Sequence, residues 1–224
     1  MGFLDQLART STDRRQFLRF AGISIFAAAL AGCGKDNPAK PIAGVNLGTG
    51  DTAVLNYAYA LEQLEAAFYT QVVATPYSGI PATELTMMTE IRDHEVIHRN
   101  FLKTALGASA IADLSVTFAS VNFTSRASVL GTAKVFEDLG VAAYNGAGQL
   151  IVNPTYLTLA GKIVSVEARH AAAIRDLLSP KSASFAGDDV VNASTGLDVS
   201  LAPSAVLAQA DPFVITPINR GDLP

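Results

Sequence analysis

Met88-Thr89-Glu90-Ile91-Arg92-Asp93-His94-Glu95-Val96-Ile97-His98-Arg99-Asn100-Phe101-Leu102-Lys103-Thr104-Ala105 decides the fold. At helical period its apolar stripe runs through Met88, Ile91, Leu102 and Ala105. The same stripe passes through Glu95 and His98, with steps of 3, 4, 3, 4 and 3 that keep all six residues on one face. A carboxylate and an imidazole therefore occupy core positions. The pattern recurs downstream. Ala160, Ile163, Glu167, His170, Ile174 and Leu178 form a second apolar stripe, again interrupted by a Glu and a His three apart.

Two further helical segments each carry one inward acid. In the first the stripe is Leu55, Tyr59, Glu62, Ala66, Tyr69 and Val73; in the other it is Leu130, Ala133, Glu137, Val141, Tyr144 and Gly148. Glu62 precedes Tyr69 by seven residues, and Glu137 precedes Tyr144 by seven. Glu95 follows Glu62 by 33, and Glu167 follows Glu137 by 30, so the chain reads as two pseudo-equivalent hairpins. Burying four unpaired carboxylates would cost several kcal/mol each. Either the faces are misread or something cationic gathers the acids. Four carboxylates and two neutral imidazoles are balanced by two divalent metals. Oxygen-rich, imidazole-containing ligation suits Fe or Mn, and Zn less well. A Glu-x-x-His pair on each of two helices, with one Glu on each of the others, is a di-metal ligand set.

Around these stripes the sequence predicts helices over about 51–73, 82–106, 124–152 and 154–178. Asp51 or Thr52 is the expected cap of the first and Thr83 of the second, with Gly107 and Ser179-Pro180 as stops. The β-branched, Ser-rich stretch 108–123 reads as a long crossover with room for a short helix. Short first and last connections around one long crossover predict an all-α, ferritin-like four-helix bundle over 51–179. Residues 180–224, with Asp188-Asp189 and four prolines from Pro203 onward, read as an extended C-terminal arm on the bundle, carrying one helical turn near Pro203 to Ala210.

Residues 1–33 are set apart. Ser11-Thr12-Asp13-Arg14-Arg15-Gln16-Phe17-Leu18-Arg19 resembles the twin-arginine export motif, with Arg14 and Arg15 as its pair. The apolar stretch from Phe20 to Gly32 falls short of the ~20 residues that span a membrane. Leu30-Ala31-Gly32-Cys33 resembles a lipobox, in which Cys33 becomes the acylated N-terminus. The expected product is a lipoprotein of the cell envelope, periplasmic or otherwise extracytoplasmic. It would meet the twin-arginine translocase during export and the membrane through its lipid. Loss of residues 1–32 leaves 12 basic and 18 acidic residues, a charge of −6. Residues 34–50, with Pro38, Pro41 and three glycines before Gly50, read as a flexible linker.

Composition excludes several classes. The chain of 224 residues is 50% hydrophobic and 16% charged, too apolar for general disorder. A net charge of −4 with no basic run beyond the first segment argues against a nucleic-acid partner. One cysteine excludes a disulfide framework and Cys-ligated zinc or iron–sulfur sites.

The site residues also carry a family resemblance. Leu55-Asn56 and Leu61-Glu62, with Tyr69 seven on, resemble the first helix of bacterioferritins. Glu95-Val96-Ile97-His98 and Glu167-Ala168-Arg169-His170 resemble the paired ligand motifs of the ferritin-like superfamily. Leu61 to Tyr69, Phe136-Glu137-Asp138-Leu139-Gly140-Val141 and Phe185-Ala186-Gly187-Asp188-Asp189 are similar to bacterial ferritin-like domain proteins related to plant desiccation-related proteins. The resemblance implies a dinuclear iron or manganese centre. Glu62 and Glu137 would be terminal ligands, Glu95 and Glu167 bridges, and His98 and His170 would bind one metal each. It leaves the reaction open. Redox chemistry on peroxide or O2 is one reading; a non-catalytic, desiccation-related envelope protein with a structural or vestigial metal site is the alternative. Iron storage would need a cage, which a lipid anchor and a long tail fit poorly; a homodimer is compatible with both.

The remaining polar residues have more ordinary expectations. Glu65 competes with Glu62 for the inward position, and Glu62 is preferred because of Tyr69. His94 lies about 100° off the stripe, at the surface or behind the ligands. Tyr69 and Tyr144 are expected to hydrogen-bond ligand carboxylates. Arg169 and Arg175 are expected to neutralise nearby acids.

Overall fold

The computed structural model describes residues 43–224. The twin-arginine motif with Arg14 and Arg15, Cys33 and most of the linker lie outside the described residues. Four helices form two hairpins: α1 (Gly50–Ala74) with α2 (Ala82–Leu106), and α3 (Arg126–Gly148) with α4 (Pro154–Leu178). A crossover joins the hairpins. A short helix α5 (Pro203–Ala210) and a parallel pair, β1 (Val45–Asn46) with β2 (Ile218–Asn219), complete the regular structure. The all-α four-helix architecture predicted from the stripes is the one observed. Among the described residues no helix is long and apolar enough to cross a membrane.

Local chemistry sets three helix ends. Ser125 caps α3 by accepting from the Ser128 N–H, and Asn153 caps α4 by accepting from the Thr155 N–H, with Pro154 in the first turn. Gly107 stops α2 with a left-handed φ of 56°. Other ends depart from the sequence reading. α3 begins and ends inside the expected 124–152, because the Ser125 cap fixes its start and Leu150 and Ile151 turn back onto Ala147 and Gly148. Thr49 and Pro81, not Asp51, Thr52 or Thr83, occupy the cap positions of α1 and α2. The Asp51 carboxylate instead accepts from the Val152 and Asn153 N–H groups, tying α1 to the loop of the other hairpin. In place of the short helix the crossover has a 3-10 turn at Gly107–Ser109 and an antiparallel bridge from Val116 to Val214 of the arm.

α1 is the hub. Every residue from Ala53 to Ala66 is buried, whereas α2 buries a single stripe of Glu84, Met88, Ile91, Glu95, His98, Leu102 and Leu106. The crossover covers the far side of α1. Asn56 donates to the carbonyls of Leu47 and Ser109 and accepts from the Ile111 N–H, and Gln63 accepts from the Leu114 N–H. Phe68 and Phe136 meet edge to face at 5.1 Å, joined by Phe118 and Phe123 of the crossover and Phe213 of the arm.

Residues beyond α4 pack against the bundle. The Leu201 N–H donates to the Ala142 carbonyl, and Val206 and Ala210 are buried. Gly146 permits this approach, since a Cβ there would collide with the Leu201 carbonyl oxygen. Arg175, only 2% exposed, bonds both oxygens of Asp138 on α3, both oxygens of Asp189 and the Ser184 carbonyl. Residues 45–50, read from the sequence as part of the linker, are paired and packed: Leu47 is fully buried and its N–H donates to the Asn219 carbonyl.

Candidate metal centre

All six acids and imidazoles singled out on the stripes are buried: Glu62, Glu95, Glu137 and Glu167 completely, His98 and His170 nearly so. They converge in two overlapping groups. Glu62, Glu95, His98 and Glu167 bring one atom each within 4.8 Å of one another, as do Glu95, Glu137, Glu167 and His170. Glu95 and Glu167 belong to both groups. Each hairpin supplies one acid from its first helix and a Glu-x-x-His pair from its second.

The two tyrosines cross the bundle to the opposite hairpin. Tyr69 of α1 donates to Glu137 Oε1 at 2.5 Å, and Tyr144 of α3 donates to Glu62 Oε1 at 2.5 Å. Burial, then the charge of the facing glutamate, raises both phenol pKa values well above the usual range, so both remain donors. Each tyrosine occupies one oxygen of its glutamate and leaves the other turned inward.

What remains is a set of unpartnered donor atoms. Glu62 Oε2, Glu137 Oε2, both oxygens of Glu95 and Glu167, and Nδ1 of His98 and His170 are buried without a hydrogen bond. Some lie close together: His98 Nδ1 is 2.9 Å from Glu167 Oε1, and His170 Nδ1 is 2.9 Å from Glu95 Oε1. These pairs lack hydrogen-bond alignment, as expected of atoms that face a common centre. Unpaired buried polar groups are rare in folded proteins and call for a missing counterpart. Carboxylate oxygens and imidazole nitrogens in this number fit divalent cations.

The electrostatics agree. Burial and neighbouring charges push Glu95 up to about 7 and hold Glu167 well above the carboxylate range. Burial opposes charge on His170, but Glu137 and Glu95 outweigh it and push its pKa up to about 10. At His98 burial is likewise outweighed, chiefly by Glu62, and its pKa lies far above the imidazole range. Without other cations the cluster must hold protons to offset its acids.

Two residues depart from the sequence reading. Glu65 and Glu62 are not alternatives, because both are buried. α1 is enclosed on all sides, so two adjacent faces of it point inward. Burial and then the charge of Glu167 raise Glu65 well above the carboxylate range. Its room comes from Gly140, where a Cβ would sit 3.1 Å from Glu65 Oε1. The sequence signal was present: between Asp51 and the end of α1, Glu62 and Glu65 are the only charged residues, the mark of a helix buried all round. Among the described residues Arg169 pairs with no acid; its guanidinium bonds the Ser165 carbonyl and hydroxyl. His94 lies behind the cluster, with Nδ1 2.9 Å from His170 Nε2.

Two hairpins whose helices direct carboxylates and imidazoles into a shared buried cluster define a four-helix carboxylate-bundle protein. The ferritin-like domain family matches residues 50–180, and the chain belongs to that family. No curated protein matches it.

Proposed function

We propose that the cluster binds two divalent iron or manganese ions, and that the protein supports redox chemistry on peroxide or dioxygen in stress protection. Glu62 and His98 would hold one ion, Glu137 and His170 the other, with Glu95 and Glu167 shared. The observation that carries this reading is the set of eight buried, unpartnered donor atoms, spread evenly over the two halves. A bound metal pair supplies two-electron redox capacity. The chain contributes the rest. Tyr69 and Tyr144 fix the terminal carboxylates through one oxygen each, and Glu65 lies with Glu167 beside Gly140, just outside the proposed ligand set. The four glutamates are wholly buried and His98 and His170 nearly so, which limits the access of water to the cluster.

The same reading places the protein in the cell envelope. Its support is the order of the sequence features: Arg14-Arg15, a short apolar stretch, then Cys33. Export by the twin-arginine translocase, which carries folded proteins, suits a site filled before export. Radiolabelled palmitate incorporation that disappears in Cys33→Ala checks the anchor.

Metal analysis of the purified protein beside Glu95→Ala/Glu167→Ala tests the centre. About two Fe or Mn per wild-type chain, absent from the double variant, is the expected result. A folded wild type that takes up no metal after anaerobic loading overturns the reading. A protein that holds two metals yet turns over neither peroxide nor O2 has a structural centre, and the non-catalytic envelope role then replaces the redox one.

A further inference from the structure

The two halves of the cluster match residue for residue at their inward atoms, but not behind them. Aligning Glu95-Val96-Ile97-His98 with Glu167-Ala168-Arg169-His170 sets His94 against Val166. His94 is half-buried on α2 and reaches across to α4. The rings of His94 and His170 are near parallel, 9° apart, with centroids 5.1 Å apart. They are not stacked face on face. An N···N distance of 2.9 Å limits the gap between near-parallel planes to less than van der Waals stacking allows. The rings therefore meet edge to edge, in the plane where an imidazole N–H and an imidazole lone pair point at each other. At the other half, Val166 offers no polar atom, and among the described residues no hydrogen bond reaches His98 Nε2.

The direction of this bond follows from the inward atoms. His170 Nδ1 faces the carboxylates Glu95 and Glu137. If Nδ1 ligates a metal, it must present a lone pair, so the ring proton sits on Nε2. Nε2–H then donates to His94 Nδ1. Such a bond fixes the tautomer and the ring orientation, and raises the basicity of the ligating nitrogen.

We propose that His94 is a positioning residue for one half of the centre only, making the His170 metal position the tighter of two unequal positions, and the Val166 side the looser one. The inference rests on the dinuclear reading. It names an inequality that the matched ligands alone do not contain. The alignment of the two hairpins also predicts how to remove it: a hydrogen-bond acceptor at position 166 would give His98 what His94 gives His170.

The test is an anaerobic titration of metal-free protein with Co(II), followed by absorption spectroscopy, in wild type, His94→Leu, His94→Asn and Val166→Asn. Asn places an acceptor oxygen at the side-chain position of the histidine Nδ1. Wild type is expected to fill in two steps. In His94→Leu one step weakens by about 10–100-fold while the other holds. His94→Asn restores most of the loss, and a loss that Asn and Leu share equally overturns the proposal. Equal weakening of both steps, or no change, also overturns it. Val166→Asn is expected to tighten the weaker step. A wild type that binds no Co(II) overturns the dinuclear reading itself. That result is distinct from two-metal binding that ignores position 94.

Discussion

The α1–α2 and α3–α4 hairpins carry the same inward set: Glu, Tyr seven residues on, then Glu-x-x-His. Around that set they differ at corresponding positions. Glu65 of α1 faces Gly140 of α3, Gln63 corresponds to Asp138, and Lys103 of α2 corresponds to Arg175 of α4. Gln63 and Asp138 both secure the segment that follows their hairpin, but by different means. Gln63 accepts directly from the crossover at Leu114 N–H, 2.7 Å away. Asp138 works through Arg175, which holds Asp189 and Ser184 of the arm. The difference teaches that symmetry is kept where the donor atoms converge and abandoned one layer out. There each hairpin solves its own problem of attachment and space.

The largest effect expected from breaking the comparison is at Arg175. Arg175→Leu removes a buried guanidinium from two carboxylates and a carbonyl, and should cost about 3 kcal/mol in urea unfolding, below the top of the range for buried pairs because Asp189 is half-exposed. The released arm should also become sensitive to limited proteolysis after Ser179. Its counterpart marks the other extreme. Lys103→Leu breaks an exposed pair with Asp113 and should cost about 1 kcal/mol or less. Equal losses at the two positions would remove the distinction between the hairpins.

Tyr69→Phe and Tyr144→Phe probe the shared layer. Each strips a hydrogen bond from a buried glutamate oxygen and should cost about 1–3 kcal/mol. The two losses should agree to within about 0.5 kcal/mol if the inner layer is symmetric. Gly140→Ala gives a small but diagnostic effect. Alanine favours a helix by about 1 kcal/mol, but its methyl meets Glu65 at 3.1 Å and Glu167 at 3.5 Å. The substitution should be destabilising in wild type and stabilising in a Glu65→Ala background, with the sign change read from a double-mutant cycle of melts.

These particulars also show what the chain reveals before folding. The four stripes and their acids were legible because helical period alone places Glu62, Glu95, Glu137 and Glu167 with their apolar neighbours. An inward Glu65 was legible, but not that Glu65 and Glu62 are buried together, because a single-face reading assumes one buried side and α1 has no exposed side from Ala53 to Ala66. The caps at Thr49 and Pro81 were missed because Asp51 and Thr83 have cap chemistry, yet the Asp51 carboxylate is taken by a loop about a hundred residues away. His94 could be set off the stripe by angle, yet nothing local says that its neighbour is His170 on another hairpin. Arg175 could be matched to acids in general, but its choice of Asp138 and Asp189 depends on where the arm lies.

The β1–β2 pair gives the fold a mechanical property. Val45 N–H bonds the Pro217 carbonyl and Leu47 N–H bonds the Asn219 carbonyl, both at 2.9 Å, and Gly50 N–H reaches the Asp222 carboxylate. A pull on the chain ahead of Val45 is therefore taken up first by the segment 217–222, before it can unwind the opening turn of α1. The tail acts as strain relief for the helix that carries Glu62. A version of the protein cut before Pro217 would transmit the same tug directly into the bundle.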